Sequence, residues 1–203
     1  MNANKLKISV MCLFLSTMLI TATTATAQAL KINPRTSSMT ILGTTNVHNF
    51  ETSVTQINGE LLLNKDKKVE TFSLQIPVKG IKSKEKLMDT KTYEAFNADK
   101  NPNISFKLTD ASGLKISSKE IEATVTGNLT MAGITKKISF KTVGTTTKPG
   151  VFEFKGNIPL KMTDFKMSPP TAMMGMMKVG DAISLKYDIF LEGGQDLTAL
   201  LDK

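Results

Sequence analysis

The stretch IEATVTGNLTM, residues 121–131, alternates without a slip. Ile121, Ala123, Val125, Gly127, Leu129 and Met131 share one parity; Glu122, Thr124, Thr126, Asn128 and Thr130 take the other. Successive side chains of an extended chain point to opposite faces. Such a segment therefore has one dry and one wet face as a strand, and neither as a helix. No other property restricts the fold as strongly, because the same period recurs along most of the chain. NISFKL groups Ile104, Phe106 and Leu108, and KISFK groups Ile138 and Phe140. VFEFKGNIPLKM aligns Phe152, Phe154, Gly156, Ile158, Leu160 and Met162, and AISLKYDIF aligns Ile183, Leu185, Tyr187 and Ile189. SMTILG, INGELLL and TFSLQIPV behave likewise in the first half.

These runs amount to eight strands. NKDKK (64–68), DASG (110–113), AGITK (132–136) and TKPG (147–150) read as the turns between them. Pro77 falls on the outward parity, which predicts an edge or a bulge there, and Val54 breaks parity with Ile57, which predicts a second bulge. One segment has helical spacing instead. SKEKLMDTKTYEAF, residues 83–96, puts Met88, Thr92, Ala95 and Phe96 on one side, with Ser83 placed to cap the start. Eight alternating strands must hide one face, either by closing into a barrel or by stacking as two sheets. Long strands joined by tight turns favour up-and-down closure. The expected fold is thus all-β: an eight-stranded antiparallel barrel with one or two short helices between strands 3 and 4.

The N-terminus predicts an exported chain. Lys5 and Lys7 precede the apolar run from Ile8 to Ala22, and Ala25-Thr26-Ala27 offers the small-x-small pattern of a cleavage site. Residues 1–27 read as a signal peptide cut after Ala27, which leaves 28–203 as one domain in the periplasm or outside the cell. The lone cysteine, Cys12, would leave with the leader, so the mature protein would have no disulfide. The formal net charge is +8, but the lysines are dispersed among apolar residues and stacking aromatics are scarce. That pattern argues against nucleic acid and is compatible with peripheral contact to anionic lipid. Monomer and dimer are equally open.

Catalytic constellations are missing. His48 is the only histidine, and the chain has no GxSxG elbow, HExxH helix or phosphate-cradling glycine loop. A non-enzyme with no cofactor and no metal is expected. The methionines are the unusual feature. PPTAMMGMMKVGD (169–181) holds Met173, Met174, Met176 and Met177 in a segment broken by Pro169, Pro170, Gly175 and Gly180. A copper(I) site, ordinary core filler and the wall of a pocket are the three readings. Thioethers bind Cu(I), but the single histidine is distant and adjacent methionines diverge. Core filler sits poorly with a long connection outside any clean strand. Unbranched thioethers mould around apolar partners of different shape, which suits a pocket wall.

Four stretches carry a family resemblance. LGTTNVHNFET resembles the opening strand and His-containing turn of the YceI-like proteins. FNADKNPNISFKL is similar to their helix-end, Pro and Ile-x-Phe strand, GNLTMAGITKKISF to their Gly-x-Leu-Thr hairpin, and MTDFKM to their late Asp-Phe element. The match runs from about Met39 to Leu191. It implies a lipocalin-like barrel, periplasmic or secreted, that holds a polyisoprenoid or other lipid for transport, storage or sequestration. A ligandless structural or adhesive β-domain is the alternative. Parity selects Ile104, Phe106, Leu108, Val125, Leu129, Phe140, Phe152, Phe154 and Leu160 as interior. With the resemblance, tail contact is expected at Phe50, Met88, Phe96, Met162, Phe165, Met173, Met174, Met176 and Met177, and head-group contact at His48 and Asn46. Two departures stand out. Phe50 occupies a position where relatives often carry Trp, and the 169–177 loop is unusually rich in methionine.

Overall fold

The computed structural model describes residues 28–64, 68–117 and 120–193. The expected leader, with Cys12, and the centre of the NKDKK turn lie outside these residues. The strands are β1 (Gln28–Ile32), β2 (Ser38–Thr45), β3 (Asn49–Val54), β4 (Asn58–Leu63), β5 (Val69–Pro77), β6 (Ile81–Lys82), β7 (Asn103–Ile116), β8 (Glu120–Met131), β9 (Ile134–Lys148), β10 (Val151–Lys161), β11 (Thr171–Ala172) and β12 (Met177–Glu192). A single α-helix among the described residues, α1 (Lys86–Phe96), lies between β6 and β7. The pairs β1/β2, β3/β4 and β5/β6 each act as one interrupted wall. With β7, β8, β9, β10 and β12 they form a closed eight-stranded antiparallel barrel. The walls follow chain order, and β12 closes the ring by pairing with β2 and β1. The two-sheet alternative is not what forms.

The three interruptions fall side by side. Residues 33–37, 55–57 and 78–80 leave the strand conformation in neighbouring walls, and the Thr55 N–H and hydroxyl both donate to the Gly80 carbonyl at 2.8 Å. A regular strand buries only alternate side chains. The breaks release that constraint: Val54 and Ile57 are both buried, and Val78 and Ile81 are fully buried. The parity clash at Val54 therefore marks a break. Pro77 pairs with Asn103 inside the sheet, so its wall is no edge; the proline ends β5 just before the turn at Val78–Gly80. The expected DASG turn is also corrected. β7 runs through it to Ile116, absorbing the excess residues as register shifts between Leu108 and Asp110 and between Ser112 and Lys115, with Gly113 at φ 62°. The AGITK hairpin is tight as expected, with Ala132 and Gly133 both at positive φ between β8 and β9.

The lumen is filled across its middle. Phe72, Phe106, Phe140 and Tyr187 form a chain of ring contacts with centroids 6.2, 5.9 and 6.1 Å apart. The buried Tyr187 hydroxyl donates to Thr142 Oγ1 at 2.8 Å, which satisfies the polar tip of the last ring. Several rings take the space that a Cβ would need at glycines of the neighbouring strand: Phe106 at Gly127, Phe154 at Gly144, Tyr187 at Gly156 and Phe50 at Gly43. The absent Cβ lets a large ring lie against the wall. Beyond this band, Leu30, Ile32, Leu63, Phe152 and Leu191 are buried.

A methyl group at Gly127 would collide with both the Phe106 ring and the Lys107 carbonyl oxygen, and the second is backbone that cannot swing aside. Gly127→Ala is expected to destabilise the barrel by about 2 kcal/mol through overpacking. A urea titration followed by tyrosine fluorescence measures it; an unchanged midpoint would contradict this packing.

Candidate functional site

Both long connections lie at the same end of the barrel. One carries α1 between β6 and β7; the other runs from residue 162 to residue 176, between β10 and β12. The helix starts later than the sequence implies. Glu85, not Ser83, occupies the cap position, without a side-chain bond. Ser83 instead donates its N–H and its hydroxyl to Asp89 Oδ1 at 2.7 and 2.8 Å, pinning the approach to the first turn. Burial opposes ionisation of Asp89, yet these bonds and the nearby Lys82 ammonium hold its carboxyl below the ordinary value. Tyr93 anchors the other side: its hydroxyl donates to the Ile81 and Lys79 carbonyls and accepts from Lys82 Nζ at 2.6 Å. That bond, with weaker help from Asp89, raises the Lys82 pKa. The helix ends at Asn97, whose left-handed φ of 49° suits asparagine.

The second connection begins with a tight 3₁₀ turn, Met162–Phe165, that buries Met162, Phe165 and the following Met167. Asp181 clamps this turn, accepting from the Thr163 N–H at 2.8 Å and its hydroxyl at 2.7 Å. Asp181 sits in the irregular stretch between Val179 and Ile183, where β12 carries extra residues against β2. The chain then forms β11 and turns at Met173–Gly175, with Met173 and Met174 in the left-handed region. Asn46 ties this segment to the β2–β3 turn: its side chain donates to the Met176 carbonyl and accepts from the Lys178 N–H. Thr45 Oγ1 accepts from the Val47 and His48 N–H groups, which fixes the turn that carries His48.

Between these covers lies an end cavity of about 190 Å³. Its floor and sides are Ile41, Phe50, Thr52, Ile81, Met131, Val179 and Ile183 from the walls. Met88, Lys91, Thr92, Ala95 and Phe96 line it from α1, Met162, Met167, Pro170 and Met173 from the second connection, and Met177 from the start of β12. The lining is mainly apolar, with His48, Thr45 and Glu85 as polar groups toward the rim. Lys91 is paired with Glu94 at 2.7 Å.

Of the residues expected from sequence, Phe50, Met88, Phe96, Met162, Met173, Met177 and His48 meet at this cavity. Ile104, Phe106, Leu108, Phe140, Phe154 and Phe165 do not line it; they belong to the filled interior and its margins. Met174 and Met176 point to solvent. Asn46 serves the backbone bonds just described. Ile41, Ile81, Met131 and Met167 line the cavity and were missed. Alternation marks Ile41 and Met131 as inward, but not the end of the barrel to which they belong; Ile81 follows the 78–80 break at the opposite parity to Ile76.

The wall beside the cavity is split. β9 and β10 pair only from Val143 and Lys155 toward their hairpin turn, and farther along they part. Lys136, Lys137, Ile158, Leu160 and Lys161 line the resulting cleft of about 620 Å³, with Phe165 wedged into it. Ile183 lines both the cleft and the end cavity. Among the described residues, no cluster of three or more His, Cys, Asp or Glu is placed to hold a metal, and no helix is long and apolar enough to cross a membrane.

Comparison with known proteins adds the lineage. The sequence pattern of the YceI-like domain matches residues 30–191. No curated protein matches the chain by sequence. Among solved structures, a polyisoprenoid-binding domain from Saccharophagus degradans, implicated in plant cell wall breakdown, superposes with a TM-score of 0.68 at 10% identity, covering 82% of this chain and 99% of that one. Burkholderia cenocepacia BcnA gives 0.63 at 16% identity, covering 78% and 98%. A Campylobacter jejuni YceI protein gives 0.57 at 18%, covering 71% and 85%. These likenesses establish a shared fold.

The Thr163 backbone N–H, then its hydroxyl, hold the Asp181 carboxyl below its ordinary 3.8. A depressed folded value means the clamp contributes fully above the unfolded carboxylate pKa and is lost as pH falls through the folded value. Asp181→Ala should lower the protection factor of the Thr163 amide at least tenfold at neutral pH, with no further loss of protection on acidification, whereas the unaltered protein should lose protection as pH falls through the Asp181 pKa. Equal exchange in the two proteins would show that the clamp does not hold the turn.

Proposed function

Because the chain belongs to the YceI-like family, we propose that it is a binding protein that takes the apolar tail of an isoprenoid-like or other lipid into the end cavity, for carriage, storage or sequestration. The observation that carries this reading is the cavity itself: a barrel filled across its middle is open at the one end where two long covers meet over apolar side chains. Polyisoprenoid binding by the Saccharophagus domain of the same fold points the same way. Placement in the periplasm or outside the cell, behind a leader cut after Ala27, belongs to the same proposal.

The energetics suit such a ligand. Each buried CH₂ contributes about 0.8 kcal/mol, so ten contribute roughly 8 kcal/mol before the costs of ordering are met. A tail longer than the 190 Å³ cavity would displace the covers, and adaptable Met88, Met162, Met173 and Met177 are the side chains to accommodate it. His48 stands at the rim, within the reach of a polar head. The reading is of binding and not of catalysis, since the lining offers one imidazole and no partner placed to activate a nucleophile. A ligandless surface domain gains no support from a pocket of this shape. The copper reading gains none from four methionines divided between a lining and an outer surface.

Protein purified from a periplasmic host should carry a hydrophobic adduct in native mass spectrometry, and stripped protein should rebind an added prenyl chain. Thr92→Phe, which fills the cavity from the lining face of α1, should weaken rebinding at least tenfold while leaving the melting temperature within a few degrees. A clean apo mass with no rebinding would sink the proposal.

A further inference from the structure

The methionines that do not line the cavity are the unexplained ones. Met174 is fully exposed, at 106%, and Met176 is 73% exposed. They are not alone. Val47 at 68%, Leu87 at 56% and Met173 at 64% are also large apolar groups in water. All belong to the segments that border the cavity mouth: the β2–β3 turn, the first turn of α1 and the loop before β12. Few other large apolar side chains of the described residues are so exposed, so this is a collar and not scatter.

The backbone holds the collar outward at a cost. Met173 and Met174 both have positive φ, at 52° and 53°, a conformation that side chains with a Cβ disfavour. Nothing inside the monomer rewards Met174 for adopting it, because its side chain touches water on every side. Strain spent on presenting an apolar tip to solvent calls for something outside the protein to receive it.

The charges around the collar say what. Asp89 and Glu94 are matched by Lys82 and Lys91, and Asp181 is engaged by Thr163. Lys84, Lys86, Lys166 and Lys178 have no carboxylate at ion-pair distance among the described residues, against Glu85, Asp164 and the Thr163-bound Asp181 on the same segments. Apolar tips ringed by unneutralised lysines match a surface with negative groups outside and hydrocarbon beneath. A second copy of the chain meeting this face would bring the lysines against one another.

We infer that the cavity end of the barrel docks on an anionic lipid surface, with Val47, Leu87, Met173, Met174 and Met176 dipping into it and Lys84, Lys86 and Lys178 on the phosphates. Docked so, the cavity mouth faces the bilayer, and an apolar tail could pass between membrane and barrel without crossing water. This last step rests on the proposed lipid binding; the docking does not.

Co-sedimentation with vesicles tests it. Full-length mature protein should bind vesicles of mixed phosphatidylglycerol and phosphatidylcholine, bind pure phosphatidylcholine at least tenfold more weakly, and release as salt rises. A Val47→Ser, Met174→Asn, Met176→Gln variant leaves the cavity lining intact, and asparagine tolerates the left-handed backbone at 174. It should lose partitioning at least tenfold with its melting temperature kept. Lys84→Gln, Lys86→Gln, Lys178→Gln should lose about fivefold for each charge removed. Failure to bind anionic vesicles, or binding untouched by both variants, overturns the docking. So does a concentration-dependent dimer that the apolar variant abolishes. Native mass spectrometry of the same preparations keeps the two ideas apart: an adduct without vesicle binding removes the docking alone, and vesicle binding without an adduct removes the cavity reading alone.

Discussion

Closure of the ring depends on one seam, between the last strand and the first. β12 pairs with β2 from Asp188 to Val179 and with β1 at Leu191 and Glu192. Where the first wall breaks, side chains take over. The Asn33 N–H donates to the Phe190 carbonyl, the Phe190 N–H donates to Ser37 Oγ, and Asn33 Nδ2 reaches Glu192, all within 2.9 Å. Without this seam two sheet edges would be exposed along their length, and every inward side chain would face water on one side. With it, alternation along each strand becomes an inside and an outside. Two walls from the seam, where β9 and β10 part, the buried Phe165 lines the cleft and covers the core behind it.

The interior then divides by size. Rings set on glycines make a filled band, and aliphatic residues close the end where the connections are short. The other end has long connections and cannot be closed by short hairpins. α1 and the 162–176 segment cover it instead, each pinned by a few polar bonds: Asp89 with Ser83, Tyr93 with Ile81, Asp181 with Thr163, Asn46 with Met176. Covers held by such sparse bonds over an apolar recess can separate more easily than strands in a ladder. The cavity and the apolar collar follow from the same arrangement, since both belong to the segments that are not wall.

Much of this was readable in the order of residues. The alternation in 121–131 matches an inner face of Leu129 and Met131, and the helical spacing of Met88, Thr92, Ala95 and Phe96 reappears as the side of α1 that lines the cavity. What misled was local chemistry with more than one use. DASG has turn composition but is a bulged part of β7, where the ladder on both sides outweighs the turn preference of four residues. Pro77 has edge composition but ends a strand inside the sheet, because the missing N–H is needed only where a neighbour would accept it. The 169–177 methionines offered no period at all, so their fates, lining for two and solvent for two, could not be separated.

By itself, the sequence determined the class of fold, the number of walls and which face of each is dry, because a two-residue period is a property of neighbours along the chain. It also placed the helix and marked the methionine loop as exceptional. Only the tertiary structure decided which dry residues meet rings and which meet empty space. That depends on strand register across the ring, on which end each connection covers, and on ring–glycine pairs such as Tyr187 and Gly156, distant along the chain but facing each other on adjacent strands. Distances of that kind are fixed by closure, and no local pattern encodes them.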